Sequence, residues 1–405
     1  MPLPDRMIRL RLPILFILVT VMIDAMGIGL IMPIMPDLIL EVEGGSLADA
    51  ALWGGVLATV FAVMQFLCAP LVGSLSDAVG RRPVLLVSLA VLALDYLVMA
   101  LAGSIWLLLV GRIIGGITSA TQSTAAAYMA DISAPGERAA RFGLIGAAFG
   151  AGFVLGPMIG GTLGEFGTRA PFWAAAALAA CNFALGLRVM RETVTGRTRR
   201  AFVWRRASPL GAFRQMARLP GIAPLMAVYL VYSVALNVYP AIWSYYTQAR
   251  FGWSPQIIGL SLAIYGISMV VVQGVLMRPL LGRFGARRVV IWGQVFDFVT
   301  FGLLASITSG TLALILTPVA ALGVVVTPAL QGIMSARVDD DAQGALQGVL
   351  TSLHALSTIA APLMMTSVFA AFTRPGAAIH LPGAPFVLSM LLILAGLLVF
   401  LRRHS

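Results

Sequence analysis

Four ionisable side chains stand in stretches too apolar to hold them without a reason: Asp24 in VMIDAMGIGLIMP, Asp95 in LALDYLVMA, Arg112 in LLVGRIIGG and Asp297 in GQVFDFVTF. At the middle of a bilayer each would cost at least about 2.5–3.5 kcal/mol on insertion scales. A carboxyl kept from water is held toward its neutral form, so it takes up and releases a proton as water access changes. The structural alternative for each is an ion pair, or a helix-end residue reaching the interface. An arginine near a carboxylate holds it ionised, so Arg112 and its partner would switch if a cationic substrate displaced the guanidinium.

Uncharged polar residues extend the set: Gln65, Gln122, Asn237, Gln273, Gln331 and Gln347, all in apolar surroundings. Singly, each serves equally well as a hydrogen bond between helices; together they fit a polar cavity reached from both halves of the chain. Gly27, Gly29, Pro33 and Pro36 follow Asp24 and loosen its helix, either to bend it for packing or to line a cavity with backbone. Tyr239, Trp243, Tyr245 and Tyr246 offer stacking surface for a flat ligand, but late in a helix such a cluster more often marks the membrane interface. His354, His380 and His404 have no metal-ligand spacing, so no metal site is expected. There is no nucleophile elbow, phosphate loop or dinucleotide fingerprint, and no enzyme activity or bound cofactor is expected.

The elements that must position these groups follow from composition. In 405 residues, 60% are hydrophobic, 11% are charged and the mean hydropathy is +0.96, which does not fit soluble domains. Twelve runs are long enough to span a bilayer, at about 12–36, 51–75, 83–102, 104–129, 139–163, 170–190, 221–247, 256–279, 287–307, 309–334, 343–371 and 381–401. The first begins after Arg6, Arg9 and Arg11 and has no cleavage site, so it reads as a retained helix. Placing loops alternately on the two sides leaves only Arg169, Arg250 and Arg374 on one side, with Arg112 inside a span and the rest of the 27 basic residues on the other. Both termini are therefore expected in the cytoplasm. The net charge of +11 is spread through these short loops, which argues against a nucleic-acid partner. Cys68 and Cys181 lie apart in apolar segments and read as packing residues.

The longest polar stretch, Arg188 to Arg218, holds one acid, Glu192, among many arginines, and divides six spans from six. PLVGSLSDAVGRRPV at Pro70–Val84 and RPLLGRFGARRV at Arg278–Val289 repeat one pattern at equivalent places. The expected fold is all-α, with twelve transmembrane helices in two pseudo-symmetric six-helix bundles: 1–190, a cytoplasmic linker 191–220, and 221–405. Transporters use such duplicated units to build a central site between two halves.

The loop Gly73–Pro83, with Gly73, Asp77, Gly80, Arg81 and Arg82, resembles the cytoplasmic signature of the major facilitator superfamily. That resemblance implies a cytoplasmic gate made by Asp77, Arg81 and Arg82 with Asp131 and Arg138. The second copy has Gly282 where Asp77 aligns, which makes the gate one-sided. Gly152, Gly156, Pro157, Gly160 and Gly161 resemble the antiporter motif of the same superfamily. Asp24–Pro33, Ser88–Leu97, Gly111–Thr118, Pro328–Gly332 and Gly344–Gly348 are similar to tetracycline/proton antiporters in both halves.

The resemblance implies a monomeric exporter in the bacterial inner membrane, driven by the proton gradient, whose substrate is a small drug arriving as a magnesium chelate. Proton coupling would fall to Asp24, Asp95, Asp297 and Arg112, and drug contact to Asp24, Gln65, Asp95 and Arg112 with Asn237, Gln273 and Gln331. One departure stands out: members of the family carry a histidine in a stretch resembling Gly259–Gln273, and here that position is Met269. His354 is then a candidate to have taken over the titrating role, against a packed, neutral histidine; an unchanged pH profile in His354→Ala would exclude the first. The missing histidine keeps open a second reading, a proton antiporter for other drugs or an endogenous metabolite.

Overall fold

The computed structural model describes residues 5–119, 121–194, 199, 221–339 and 342–402, with backbone only for residues 5–11 and Pro135. Most of the linker, at 195–198 and 200–220, and His404 lie outside the described residues. Among those described the chain is all-α. The helices are α1 (Asp5–Ile31), α2 (Met35–Glu43), α3 (Leu47–Val79), α4 (Arg81–Leu101), α5 (Ile105–Thr118), α6 (Thr121–Ile132), α7 (Arg138–Gly164) and α8 (Ala170–Val189). They continue as α9 (Ala223–Leu236), α10 (Val238–Phe251), α11 (Pro255–Val271), α12 (Met277–Ser306), α13 (Gly310–Ala320), α14 (Val326–Ser335), α15 (Gln343–Thr373) and α16 (Ala384–Arg402). Among the described residues, eleven helical stretches are long and apolar enough to cross a membrane. One of them, Pro255–Ser306, runs through Gly285 at φ 75° and contains two spans, so twelve are present, as expected from the apolar runs.

Four spans read as single helices are interrupted, and each has a local cause. The first stops at Ile31 and resumes at Met35, because Pro33 and Pro36 have no amide hydrogen and disfavour helical backbone before them. The fourth breaks at Ser119, whose amide and hydroxyl both bond the Gly116 carbonyl. The seventh breaks at Asn237, where Pro240 cannot donate to Leu236 and the Asn237 amide bonds Ser233 O (2.8 Å) instead. The tenth tightens into a 3-10 turn over Ala321–Val325. The interruptions recur every third span, the spacing of three-helix repeats nested inside each six-helix half.

Packing divides the chain into two compact units, Met1–Ile34 with Val63–Ser208, and Met35–Ala62 with Pro209–Ser405. In the first, Phe16, Ile17 and Val21 of α1 interlock with Leu85 and Leu89 of α4, Tyr128 and Met129 of α6, and Ile145 of α7. The closest pair is α1 with α7. A Cβ on Gly152, Gly156 or Gly160 would overlap the carbonyl oxygens of Met22, Met26 and Leu30 in turn, so the glycine ladder lets the backbones touch along two turns. Pro157 fills the remaining notch against Gly29. The motif read as an antiporter signature is thus the seam that carries α1, and Asp24 sits within it.

In the second unit, α2 and the first half of α3 pack on α10 and α15. Gln248 Nε2 donates to Asp37 Oδ1 (2.7 Å), Thr59 Oγ1 to Ile359 O (3.2 Å), and Gly54 and Gly55 leave room for the Tyr245 hydroxyl and Thr366. Gly80 (φ 132°) and Gly285 (φ 75°) hold left-handed backbone at the same point of the two repeated loops, where a side chain would strain it.

Candidate functional site

In the first unit the embedded charges form one cluster. Arg112 on α5 donates from Nη2 to Asp95 Oδ2 of α4 at 2.9 Å and also reaches the Met99 sulfur. Asp95 is 4% exposed and Arg112 9%. Gly111 makes the approach possible, since a Cβ there would lie 2.8 Å from Asp95 Oδ1. That second carboxylate oxygen is buried and accepts no hydrogen bond, leaving the pair with unspent acceptor capacity. Asp24 is half-buried on α1 and shares the electrostatic surroundings of Tyr96 with Asp95 and Arg112. Tyr96, which the sequence reading passed over, presses its hydroxyl into the space left by Gly27. Gly27 and Gly29 therefore serve packing, the first of the two readings offered for them. Gln65 lies half-buried on α3.

The loop Gly73–Pro83 of this unit holds a tighter network than expected. Arg81 pairs with Asp77, reaches Asp131 Oδ2 from Nε (3.4 Å) and donates from Nη1 to Ser76 Oγ (2.7 Å). Arg82 donates to Leu187 O (3.1 Å). Arg138 was expected in this network, but it is exposed and lies outside it, because the 3-10 turn Pro135–Glu137 carries it to the start of α7. Its place is taken by the linker's acid. Glu192 accepts the backbone N–H groups of Arg81 (2.9 Å) and Arg82 (3.2 Å), filling the space beside Gly80 and capping α4 from just beyond the end of α8. A carboxylate at a helix N-terminus is favoured by the unpaired amides and the helix dipole. Glu192→Ala should destabilise the detergent-solubilised protein by about 1 kcal/mol and speed hydrogen exchange at Arg81 and Arg82 roughly fivefold; unchanged exchange at those two amides would show the cap to be idle.

The second unit holds Asp297, 2% exposed, on α12. Its Oδ2 lies 2.6 Å from the Tyr232 hydroxyl of α9, and that hydroxyl lies 2.9 Å from the Gly323 carbonyl in the 3-10 turn of the tenth span. A Cβ on Gly323 would overlap the carboxyl, so glycine is required there. Among the described residues Asp297 forms no ion pair. One turn away on the same helix, Gln294 is fully buried and neither of its amide atoms has a hydrogen-bond partner. Neither Tyr232 nor Gln294 was singled out from sequence; the signal available was polar atoms in apolar runs, diluted by many similar residues.

The remaining candidates of this unit scatter. Asn237 Nδ2 bonds Ser233 O and Ser357 Oγ (3.3 Å), bridging the seventh and eleventh spans. Gln331 donates to the Tyr229 hydroxyl (3.4 Å), and Gln273 is exposed in the π turn Val272–Leu276. His354 is exposed on α15. The aromatic cluster is not an interfacial belt. Tyr239, Trp243, Tyr245 and Tyr246 are all buried; Tyr239, Trp243 and Tyr246 make tilted or edge-on ring contacts with Tyr265, Phe301 and Phe386, Tyr245 meets Phe369, and Trp243 Nε1 donates to Ser261 Oγ (2.9 Å). No group of three or more histidine, cysteine or carboxylate side chains suited to a metal occurs among the described residues.

Residues 17–242 match the family model of the Major Facilitator Superfamily. The chain is 43% identical over 359 residues to the tetracycline resistance protein, class C, of Escherichia coli, covering 88% of this chain and 90% of that one. Among solved structures it resembles the human organic anion transporter MFSD10 (27% identity, TM-score 0.68, covering 96% and 99% of the two chains). It also shares the fold of the nucleoside transporter NupG, at 13% identity with a TM-score of 0.78 over 97% and 99%. The interrupted spans, the glycine seam and the buried carboxyls are thus those of a multi-pass membrane transporter, and the chain belongs to the major facilitator superfamily, in the family of the tetracycline resistance proteins.

Proposed function

We infer that this chain exports tetracycline-like drugs across the bacterial inner membrane, each magnesium-chelated cation exchanged for a proton, by alternating access of two six-helix bundles at 1–190 and 221–405. The observation that carries this reading is the contrast between its embedded carboxyls: Asp95 is bound to Arg112, whereas Asp297 is buried with only a phenol beside it. Two carboxyls in unlike surroundings suit two tasks. Asp95, paired but with a bare oxygen, fits a cation that competes with Arg112. Asp297, away from any counter-charge, fits a proton. Asp24 and Gln65 would add drug contacts in the first bundle, and Gln273 and Gln331 in the second; Asn237 is committed to structure and would act only through it. The relation to the tetracycline resistance proteins supports the drug, and the arginine asymmetry supports cytoplasmic termini. The protein would act as a monomer, without a bound cofactor.

A proton antiporter for other drugs or an endogenous metabolite remains a second reading, and Met269 in place of the family histidine is the observation that favours it. Inverted vesicles distinguish the two. Gradient-driven uptake of tetracycline that requires magnesium is expected, and uptake of an unrelated dye but not of tetracycline would favour the second reading.

A further inference from the structure

A phenol has one hydrogen to give, and the Tyr232 hydroxyl has two oxygen neighbours at hydrogen-bond distance, Asp297 Oδ2 and the Gly323 carbonyl. A carbonyl cannot donate. One hydrogen shared between the two acceptors would make two weak bonds; both are full, two-centre hydrogen bonds when a second proton sits on the carboxyl, so that Asp297 donates to Tyr232 and Tyr232 donates to Gly323. With the carboxyl ionised, the hydroxyl turns to the charge, because a bond to a carboxylate is the stronger, and the Gly323 carbonyl loses the phenol and keeps only the Val326 N–H of its own turn. That carbonyl belongs to the 3-10 turn Ala321–Val325, the interruption of the tenth span, where the usual helical bonds are already rearranged.

The geometry points to Tyr232 as a positioning residue that reads the protonation of Asp297 and passes it to the tenth span: the carboxyl–phenol–carbonyl chain closes when Asp297 holds its proton and opens at Gly323 when the proton leaves. This rests on the exchange of drug for proton proposed above, and supplies the partner of Asp297 that Met269 does not. In the closing direction the proton added to Asp297 remains there. The phenol gives up no proton overall and only changes its acceptor. Among the described residues, the titratable groups that interact with Asp297 are phenols, Tyr232 from α9, Tyr239 from α10 and Tyr265 from α11. Neither α13 nor α14 carries a charged or titratable residue, and α16 carries only Arg402, at its last position. Gly323 completes the device, since any side chain there would displace the carboxyl.

Infrared difference spectroscopy of the purified protein tests this without any drug. A protonated-carboxyl band is expected at neutral pH, absent in Asp297→Asn and, if that variant does not accumulate, recognised by its displacement in Asp297→Glu. In Tyr232→Phe the band should move to higher wavenumber as the carboxyl loses its acceptor. Its titration should move to higher pH by about one unit, because the ionised form loses the stronger bond. The pH profile of vesicle uptake should move with it. A band whose position and titration are the same in Tyr232→Phe and wild type would overturn the proposal, as would the absence of any Asp297 carboxyl band at neutral pH. If the band responds as expected while tetracycline is not transported, the relay stands and the choice of drug falls.

Discussion

Inverted vesicles carrying Asp297→Asn should take up no more tetracycline with a proton gradient than without one. The substitution is close to isosteric, and its amide can donate to Tyr232 while Tyr232 continues to donate to Gly323. The variant therefore copies the protonated state and should accumulate and fold like wild type. What it lacks is a proton to release. A transporter whose cycle requires that release stops at one step, so the loss should be of flux rather than of folded protein. Gradient-driven uptake near the wild-type level would remove Asp297 from the coupling path, and would leave Asp24 and Asp95 to carry it.

The second large effect concerns the pair Asp95–Arg112, and the two halves of the pair should not respond alike. Removing one partner of a buried ion pair costs about 3–5 kcal/mol, because the other charge stays behind. The guanidinium cannot lose its proton, so Asp95→Ala should show that destabilisation at every accessible pH. Arg112→Ala leaves a carboxyl, which can be neutralised. In that variant the folded state binds a proton that the unfolded state releases at neutral pH; the penalty should therefore be largest near neutrality and shrink as pH falls toward about 4, where the unfolded carboxyl is protonated too. Thermal unfolding of the detergent-solubilised variants, at neutral and at acidic pH, checks this. Equal pH dependence in both variants would contradict the pairing as described.

Much of this was legible in the sequence, because the bilayer imposes simple rules. Apolar length gave the twelve spans, and the repeated loop gave the duplicated pattern, down to Gly80 and Gly285 sharing left-handed backbone. Asp95 and Arg112 could be suspected of pairing because their charges are opposite and neither belongs in lipid. Pro33 and Pro36 announced the break after the first span, and Pro318 and Pro328 flank the turn at Gly323; the break at Ser119 had no comparable mark, since it is made by that residue's own amide and hydroxyl bonding back to Gly116. Glu192 shows the limit of reading charge as pattern. Among so many arginines it looked like a stray acid, yet it caps α4 more than a hundred residues earlier in the chain. Tyr232 shows another. A tyrosine in an apolar run carries no distinguishing mark until α9 and α12 bring it to Asp297. The cluster from Tyr239 to Tyr246 drew attention by density, and it proved to be ring packing inside the bundle.

The most direct test of the central claim couples the two fluxes in one measurement. Purified protein is reconstituted in liposomes with a pH-sensitive dye inside and no imposed gradient, and tetracycline is added outside with magnesium. Drug entry should move protons outward, so the lumen should become alkaline as tetracycline accumulates, with neither signal in Asp297→Asn. Tetracycline entry with no change in luminal pH would contradict exchange for protons, and neither signal in the wild-type protein would contradict the choice of drug.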